Sequence, residues 1–201
     1  MSDSKPEVSK TSPQQRKKKT PRKISERYLR NSGMFYLQRF TASSGHFKSV
    51  MSRKIKKSCH FHKDQDYDAC IEVLDKVTAE FLDQGLLDDD GYIRGMVTSL
   101  RRSGHSKKAI MAKLIQKRVA ASDIEKALNT FDEENYEDPH QAEFLAALKF
   151  ARKKRLGPYD EVQKYEPEKA LNTLARKGFN YDTAKRVINL DPEELYELVE
   201  Y

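Results

Sequence analysis

Tryptophan is missing from this 201-residue chain, and cysteine, proline and glycine are scarce at 2, 7 and 8 residues. So few turn formers exclude a collagen-like or Gly-rich linker protein and disfavour a turn-dense all-β protein. Two cysteines, Cys59 and Cys70, do not make a secreted disulfide framework. No apolar run approaches the ~20 residues of a membrane helix, and the N-terminus lacks a signal-peptide core, so a cytoplasmic protein with no membrane partner is expected. A Gly-rich phosphate loop, G-x-S-x-G and H-E-x-x-H are all absent, so no enzyme activity and no cofactor are expected.

Charge is what the chain has in quantity, and it is unevenly placed. Residues 1–60 carry 16 Lys/Arg against 3 Asp/Glu; the remainder carries 22 against 28. A basic first third implies a polyanion or an acidic protein surface as partner. Residues 1–23 hold almost nothing apolar and read as a disordered basic arm built around Arg16–Lys19, Arg22 and Lys23.

From Ile24 onward the apolar period is helical, with no alternating strand, so the fold class is all-α. Tyr92, Ile93, Met96, Val97 and Leu100 form one stripe; Ala109, Ile110, Leu114 and Ile115 form another; Phe144, Leu145, Leu148 and Ala151 form a third. Asp88–Asp90, Ser106 and Ser122 are expected helix caps, Gly104 and Gly157-Pro158 helix stops, and Pro167 and Pro192 helix starts.

An internal repeat organises these helices. At a spacing of 60, residues 50–59 (VMSRKIKKSC), 110–119 (IMAKLIQKRV) and 170–179 (ALNTLARKGF) align. Another helix precedes each segment, at about 25–41, 90–103 and 140–155. The expected architecture is three tandem three-helix repeats, helix-turn-helix-like and stacked into an elongated, curved array: residues 24–86, 87–132 and 133–201, the last ending in an acidic tail. A monomer is expected.

Basic residues recur on these helices. Arg94, Arg101 and Arg102 share a face opposite the Tyr92 stripe; Lys113 and Lys117 are four apart, with Arg118 beyond; Lys107 and Lys108 open their helix, where cations oppose the helix dipole. Lys149, Arg152, Lys153, Lys154 and Arg155 crowd one helix end, where the dipole favours them. Arg39, Arg53, Lys54 and Lys57 extend the positive surface into the first repeat. Solubility alone is satisfied by either sign of charge, so this placement favours binding, with salt-sensitive contact to phosphates. Cys59, His60, His62 and Cys70 are the only soft-ligand cluster, but Cys59 aligns with core positions and the spacing is not a zinc pattern, so no metal site is expected.

The run Leu87-Asp88-Asp89-Asp90-Gly91-Tyr92, followed by Arg94, Gly104 and the helix at 110–114, resembles the RecX family, the bacterial modulators of the RecA recombinase. The Lys177-Gly178-Phe179 turn and the segment RKKRLGPY at 152–159 resemble it too; the middle copy, Lys117-Arg118-Val119, departs at the glycine. The resemblance spans about residues 27–190. It implies three-helix repeats and binding along a RecA–DNA filament, with inhibition of strand exchange and of ATP-linked activity. Leu87, Asp88, Asp89 and Tyr92 are read as mainly structural: core and caps. The alternative is a helical-repeat nucleic-acid binder that acts without RecA.

Overall fold

The computed structural model describes residues 20–136, 138–160 and 166–199. Among them the chain is all-α: α1 Glu26–Leu37, α2 Ser44–Phe61, α3 Tyr67–Asp83, α4 Asp89–Arg102, α5 Lys107–Gln116, α6 Ala121–Asn135, α7 Pro139–Lys154, α8 Pro167–Arg176, α9 Tyr181–Ile188 and α10 Pro192–Val199. Three separate apolar cores follow one another along the chain. Leu29, Phe47, Met51, Ile55, Leu74, Val77 and Phe81 hold α1–α3 together. Ile93, Val97, Ile110, Leu114, Ile124 and Leu128 hold α4–α6. Phe144, Ala147, Leu148, Leu174, Ala184 and Val187 hold α7–α9. Stability therefore rests on three small cores plus the contacts between them.

Local rules place most helix ends. Ser25, Ser43, Asp66, Asp88, Ser106, Asp138 and Asn180 each accept a backbone N–H at a helix start. Ser122 is not such a cap: α6 begins a residue earlier and has no side-chain cap. Gly104 ends α4 at φ 78°, but α7 stops at Arg155, itself left-handed at φ 52°, before Gly157 is reached.

Several boundaries differ from the sequence reading. Burial and helix starts put the first copy 63 residues, not 60, ahead of the second: Ser43 matches Ser106, and Phe47 and Met51 match Ile110 and Leu114. A three-residue offset is close to one helical turn, so apolar positions still fall roughly in line when misaligned. The extra residues lengthen α2, and Cys59 is half-buried rather than central to the core. Leu87 belongs to the first core, not the second. Residues 21–23, read as part of a disordered arm, are held: Ser58 donates to the Arg22 carbonyl (2.8 Å), His62 contacts the Pro21 carbonyl (2.8 Å), and Lys23 pairs with Asp64. The run Arg16–Lys19 lies outside the described residues. The acidic tail is not simply solvated, because Leu195 and Leu198 of α10 pack on the third core.

The units are joined twice by one device. Ser43 Oγ, capping α2, donates 2.7 Å to the Lys117 carbonyl at the end of α5. Ser106 Oγ, capping α5, donates 2.6 Å to the Lys177 carbonyl at the end of α8. In each joint a carboxylate from the next unit's first helix also accepts the first helical N–H: Ser44 N to Asp89 Oδ1 at 2.6 Å, and Lys107 N to Glu143 Oε2 at 3.1 Å. The chains approach so closely that one glycine is required per joint. A Cβ on Gly45 would lie 2.4 Å from the Arg118 carbonyl oxygen; a Cβ on Gly178 would lie 2.7 Å from Ser106 Oγ. The glycine is on the upstream helix in the first joint and on the downstream turn in the second. That exchange explains why the middle copy tolerates Arg118, left-handed at φ 60°, where the third copy has Gly178.

Arg101 departs from the expected open face. It is 2% exposed. Its Nη2 meets Asp132 of α6 and its Nη1 meets Glu143 of α7, both at 2.6 Å, and Nη1 also donates to the His105 carbonyl. Burial opposes its charge, but the two carboxylates outweigh that and leave its pKa raised. Helix periodicity places Arg101 opposite the apolar stripe, but its side chain extends between units to carboxylates that a one-helix projection does not contain.

Two outcomes are expected. Arg101→Ala strands a buried Asp132 and lowers stability by about 3–5 kcal/mol in urea unfolding; an unchanged midpoint contradicts the buried pairing. Gly45→Ala and Gly178→Ala each lower stability by about 1–3 kcal/mol. Gly95→Ala, with nothing within 4 Å of its Cβ, is neutral or stabilising in the same assay.

Candidate polyanion-binding surface

The Leu87–Tyr92 run is placed by structural tasks. Asp88 Oδ1 caps α4 through Gly91 N at 2.9 Å, and a Cβ at Gly91 would collide with that same carboxylate at 2.2 Å. Asp89 holds both the backbone N and the hydroxyl of Ser44 across the first joint. Tyr92 is half-buried against the second core.

The basic residues lie elsewhere, and most are open. Arg39, Arg53, Lys57, Arg94, Arg102, Lys107, Lys113, Arg118, Lys149, Arg152, Lys153, Lys154 and Arg155 are exposed; Lys54 and Lys117 are half-buried. Lys54 donates to Ser32 at 2.5 Å, Lys107 to Asn129 at 3.2 Å, and Arg39 stacks 4.2 Å over the Phe35 ring. Among the described residues, every candidate cation except Arg101 is without an ion pair. Arg94 lies in a groove beside Asp90, Asp123 and Glu134, where its charge is partly offset.

The structure concentrates charge at the second joint. A cleft of about 590 Å³ runs between α5, the end of α7 and the end of α8. Six cations line it: Lys108, Lys113, Lys153, Lys154, Arg176 and Lys177. His105 and Phe150 line it as well, and no carboxylate does. Arg176 and Lys177 were absent from the sequence-derived site. The only signal for them was register, since Lys177 stands 60 residues after Lys117 at the same helix end. Helix-end position accounts for Lys113, Lys153, Lys154, Arg176 and Lys177 through the dipole, but not for Lys108, which stands at the start of α5. Six like charges without a counter-charge repel one another.

Two imidazoles report that field. Burial lowers the pKa of His105, and Lys113, Lys153 and Lys177 lower it further, against a raising contact with the Leu100 carbonyl. At the first joint, burial, Lys117 and Arg53 lower that of His46. Elsewhere, burial and the neighbouring Cys59 thiol push Cys70 up to about 11, away from the thiolate a metal needs. Among the described residues no three His, Cys, Asp or Glu are grouped to share a metal ion, and no helix is long and apolar enough to cross a membrane.

Fold and surface together define a tandem helical-repeat protein with unpaired cations gathered at a joint. Residues 88–128 match the sequence family described as RecX, second three-helix domain. The chain is 34% identical over 177 residues to "Regulatory protein RecX" of Myxococcus xanthus (strain DK1622), covering 87% of this chain and 91% of that one. It is 30% identical over 177 residues to the protein of the same name from Agrobacterium fabrum, covering 86% and 88%. The fold is shared with two crystal structures. One, of regulatory protein RecX, has a TM-score of 0.54 at 20% identity, covering 81% of this chain and 70% of that one. The other, of RecX from Lactobacillus salivarius, has a TM-score of 0.57 at 17% identity, covering 85% and 97%. This chain belongs to the RecX family.

The two histidines give a pH expectation. Their folded pKa values are depressed, so the unfolded chain binds protons more readily. Stability is present above about 6.5, their ordinary value, and is lost as pH falls through the folded values. Urea midpoints should fall between pH 6.5 and 5, and less so in His46→Gln/His105→Gln. An identical pH slope in that variant contradicts the assignment.

Proposed function

We propose that this chain is a non-enzymatic regulator that lies along a RecA–DNA filament and inhibits recombinase, strand-exchange and ATPase activities in DNA repair and recombination. The relatives' name, regulatory protein, and the family resemblance to modulators of RecA support the target. One observation carries the mode of action: cations spread over all three units remain unpaired and exposed, with six gathered in one carboxylate-free cleft. A filament is both long and rich in phosphate. A chain of three units joined by fixed contacts presents its cations over a matching length, so it touches neighbouring protomers together and hinders their rearrangement. Such binding multiplies weak local contacts through effective concentration.

The carboxylate-free cleft also favours the second reading, a nucleic-acid binder without RecA as its target. Adding DNA alone and then RecA filaments separates the two. Followed over time, the DNA-dependent ATPase of preformed RecA filaments should fall when the chain is added. An unaltered rate, with DNA bound, selects the second reading.

Arg94→Ala/Arg102→Ala/Lys149→Ala should weaken that inhibition several-fold, as expected when three unpaired cations leave a polyanion interface, with helicity by circular dichroism unchanged. Full inhibition by the triple variant places the contact on another face. Arg101 is left out of the set because its loss acts on the fold.

A further inference from the structure

Both joints place a half-buried imidazole near cations from two units. At the second, His105 stands among Lys113 of α5, Lys153 of α7 and Lys177 at the end of α8. At the first, His46 gives its backbone N–H to Ser43 Oγ at 3.1 Å, and that hydroxyl donates 2.7 Å to the Lys117 carbonyl, so the imidazole starts beside the end of α5; Lys117 and Arg53 of α2 both act on its charge. The upstream cations occupy different helix positions, but Lys117 and Lys177 are equivalent, each contributing its backbone carbonyl to the joint serine. The joint contact therefore fixes where each lysine side chain starts. None of these five cations has an ion pair among the described residues, and the joint carboxylates are already engaged: Asp89 by Ser44, Glu143 by Arg101 and Lys107. The named cations thus make a positive contribution at each imidazole, with one carboxylate, Asp89 or Glu143, still present at the edge of its joint.

We propose that the two joints are phosphate-holding notches that seat one nucleic-acid strand by its backbone, the larger notch being the cleft at the second joint and the smaller the His46–Arg53–Lys117 group at the first. This rests on the reading above that the partner carries a phosphate backbone. A strand is favoured over a single small anion because the notches recur on successive units, and a backbone supplies phosphates at both. Cations take up the phosphate charge, with His105 in the lining of the larger notch and His46 beside the cations of the smaller. Burial is the first cause of the lowered midpoints and the cations add to it; a bound phosphate opposes the cations' share, so strand binding raises the protonation midpoint of both. The joints would then read backbone and not sequence.

The test follows the His46 and His105 ring signals by NMR through a pH titration of the full chain, alone, with a 20-nucleotide oligo-dT, and with inorganic pyrophosphate. Oligo-dT should raise both midpoints. Lys113→Gln/Lys177→Gln should abolish the rise at His105 only, and Arg53→Gln/Lys117→Gln the rise at His46 only. Each double variant should also flatten the slope of log affinity against log salt by about 1.4, two contacts at ~0.7 each for a single strand. Urea midpoints check that the variants fold; Lys113→Gln/Lys153→Gln, which leaves the joint residue untouched, serves as the second variant for the cleft. No rise with oligo-dT overturns the proposal, as does a rise that survives in the variants. A rise with pyrophosphate but not oligo-dT reassigns the notches to a free small phosphate and overturns the strand. Histidine shifts with no effect on RecA would fail the filament reading while leaving the notches standing; RecA inhibition without histidine shifts would do the reverse.

Discussion

The serine-to-carbonyl contact between successive units is the constraint on which the rest depends. Each unit has its own small core, and among the described residues no apolar cluster spans all three. Their relative placement is set where the N-terminus of one unit's middle helix meets the C-terminal turn of the next unit's. Both partners there are unsatisfied by helix geometry alone: the first N–H groups and the last carbonyls have no partner within their own helix. The joint satisfies one end with the other. A serine hydroxyl accepts from its own helix and donates across the gap, and a carboxylate from the neighbouring unit takes the adjacent N–H.

Arg101 ties that device to the interior. Glu143 receives both the Lys107 N–H at the joint and the Arg101 guanidinium, which also grips Asp132. The second joint is thus fastened to α4, α6 and α7 at once. Inside, one guanidinium meets two carboxylates and no cation is left over; the unpaired cations remain outside, on the exposed lysines and arginines and in the cleft they line. Structure and surface use opposite treatments of the same residue type: Arg101 is enclosed between two carboxylates, whereas Arg102, its neighbour in sequence, is exposed and without an ion pair among the described residues.

Much of the fold was legible because helix periodicity and caps are local. The stripe at Tyr92–Leu100, the caps at Asp88 and Ser106, and the stop at Gly104 all follow from neighbours within four residues. What escaped was non-local. The first copy's true offset was masked because a slip of three residues nearly preserves helical phase. The burial of Arg101 depended on carboxylates 31 and 42 residues away. Gly45 and Gly178 looked unrelated until the joints showed one substituting for the other. At the candidate site, helix-face reasoning found Lys113, Lys153 and Lys154; it missed Arg176 and Lys177, because their nearness to α5 arises only from the docking of two units.

The most direct test of a chain whose units are fixed by these joints is the distance between its ends in solution. Spin labels carried by noncanonical residues at the exposed positions 76 on α3 and 185 on α9 avoid the native cysteines. Pulsed dipolar spectroscopy should give one narrow distance distribution that broadens when Ser43 and Ser106 are both changed to Ala. A broad distribution in the unaltered chain would mean that the units swing freely, and the account of a fixed, continuous binding surface would be contradicted.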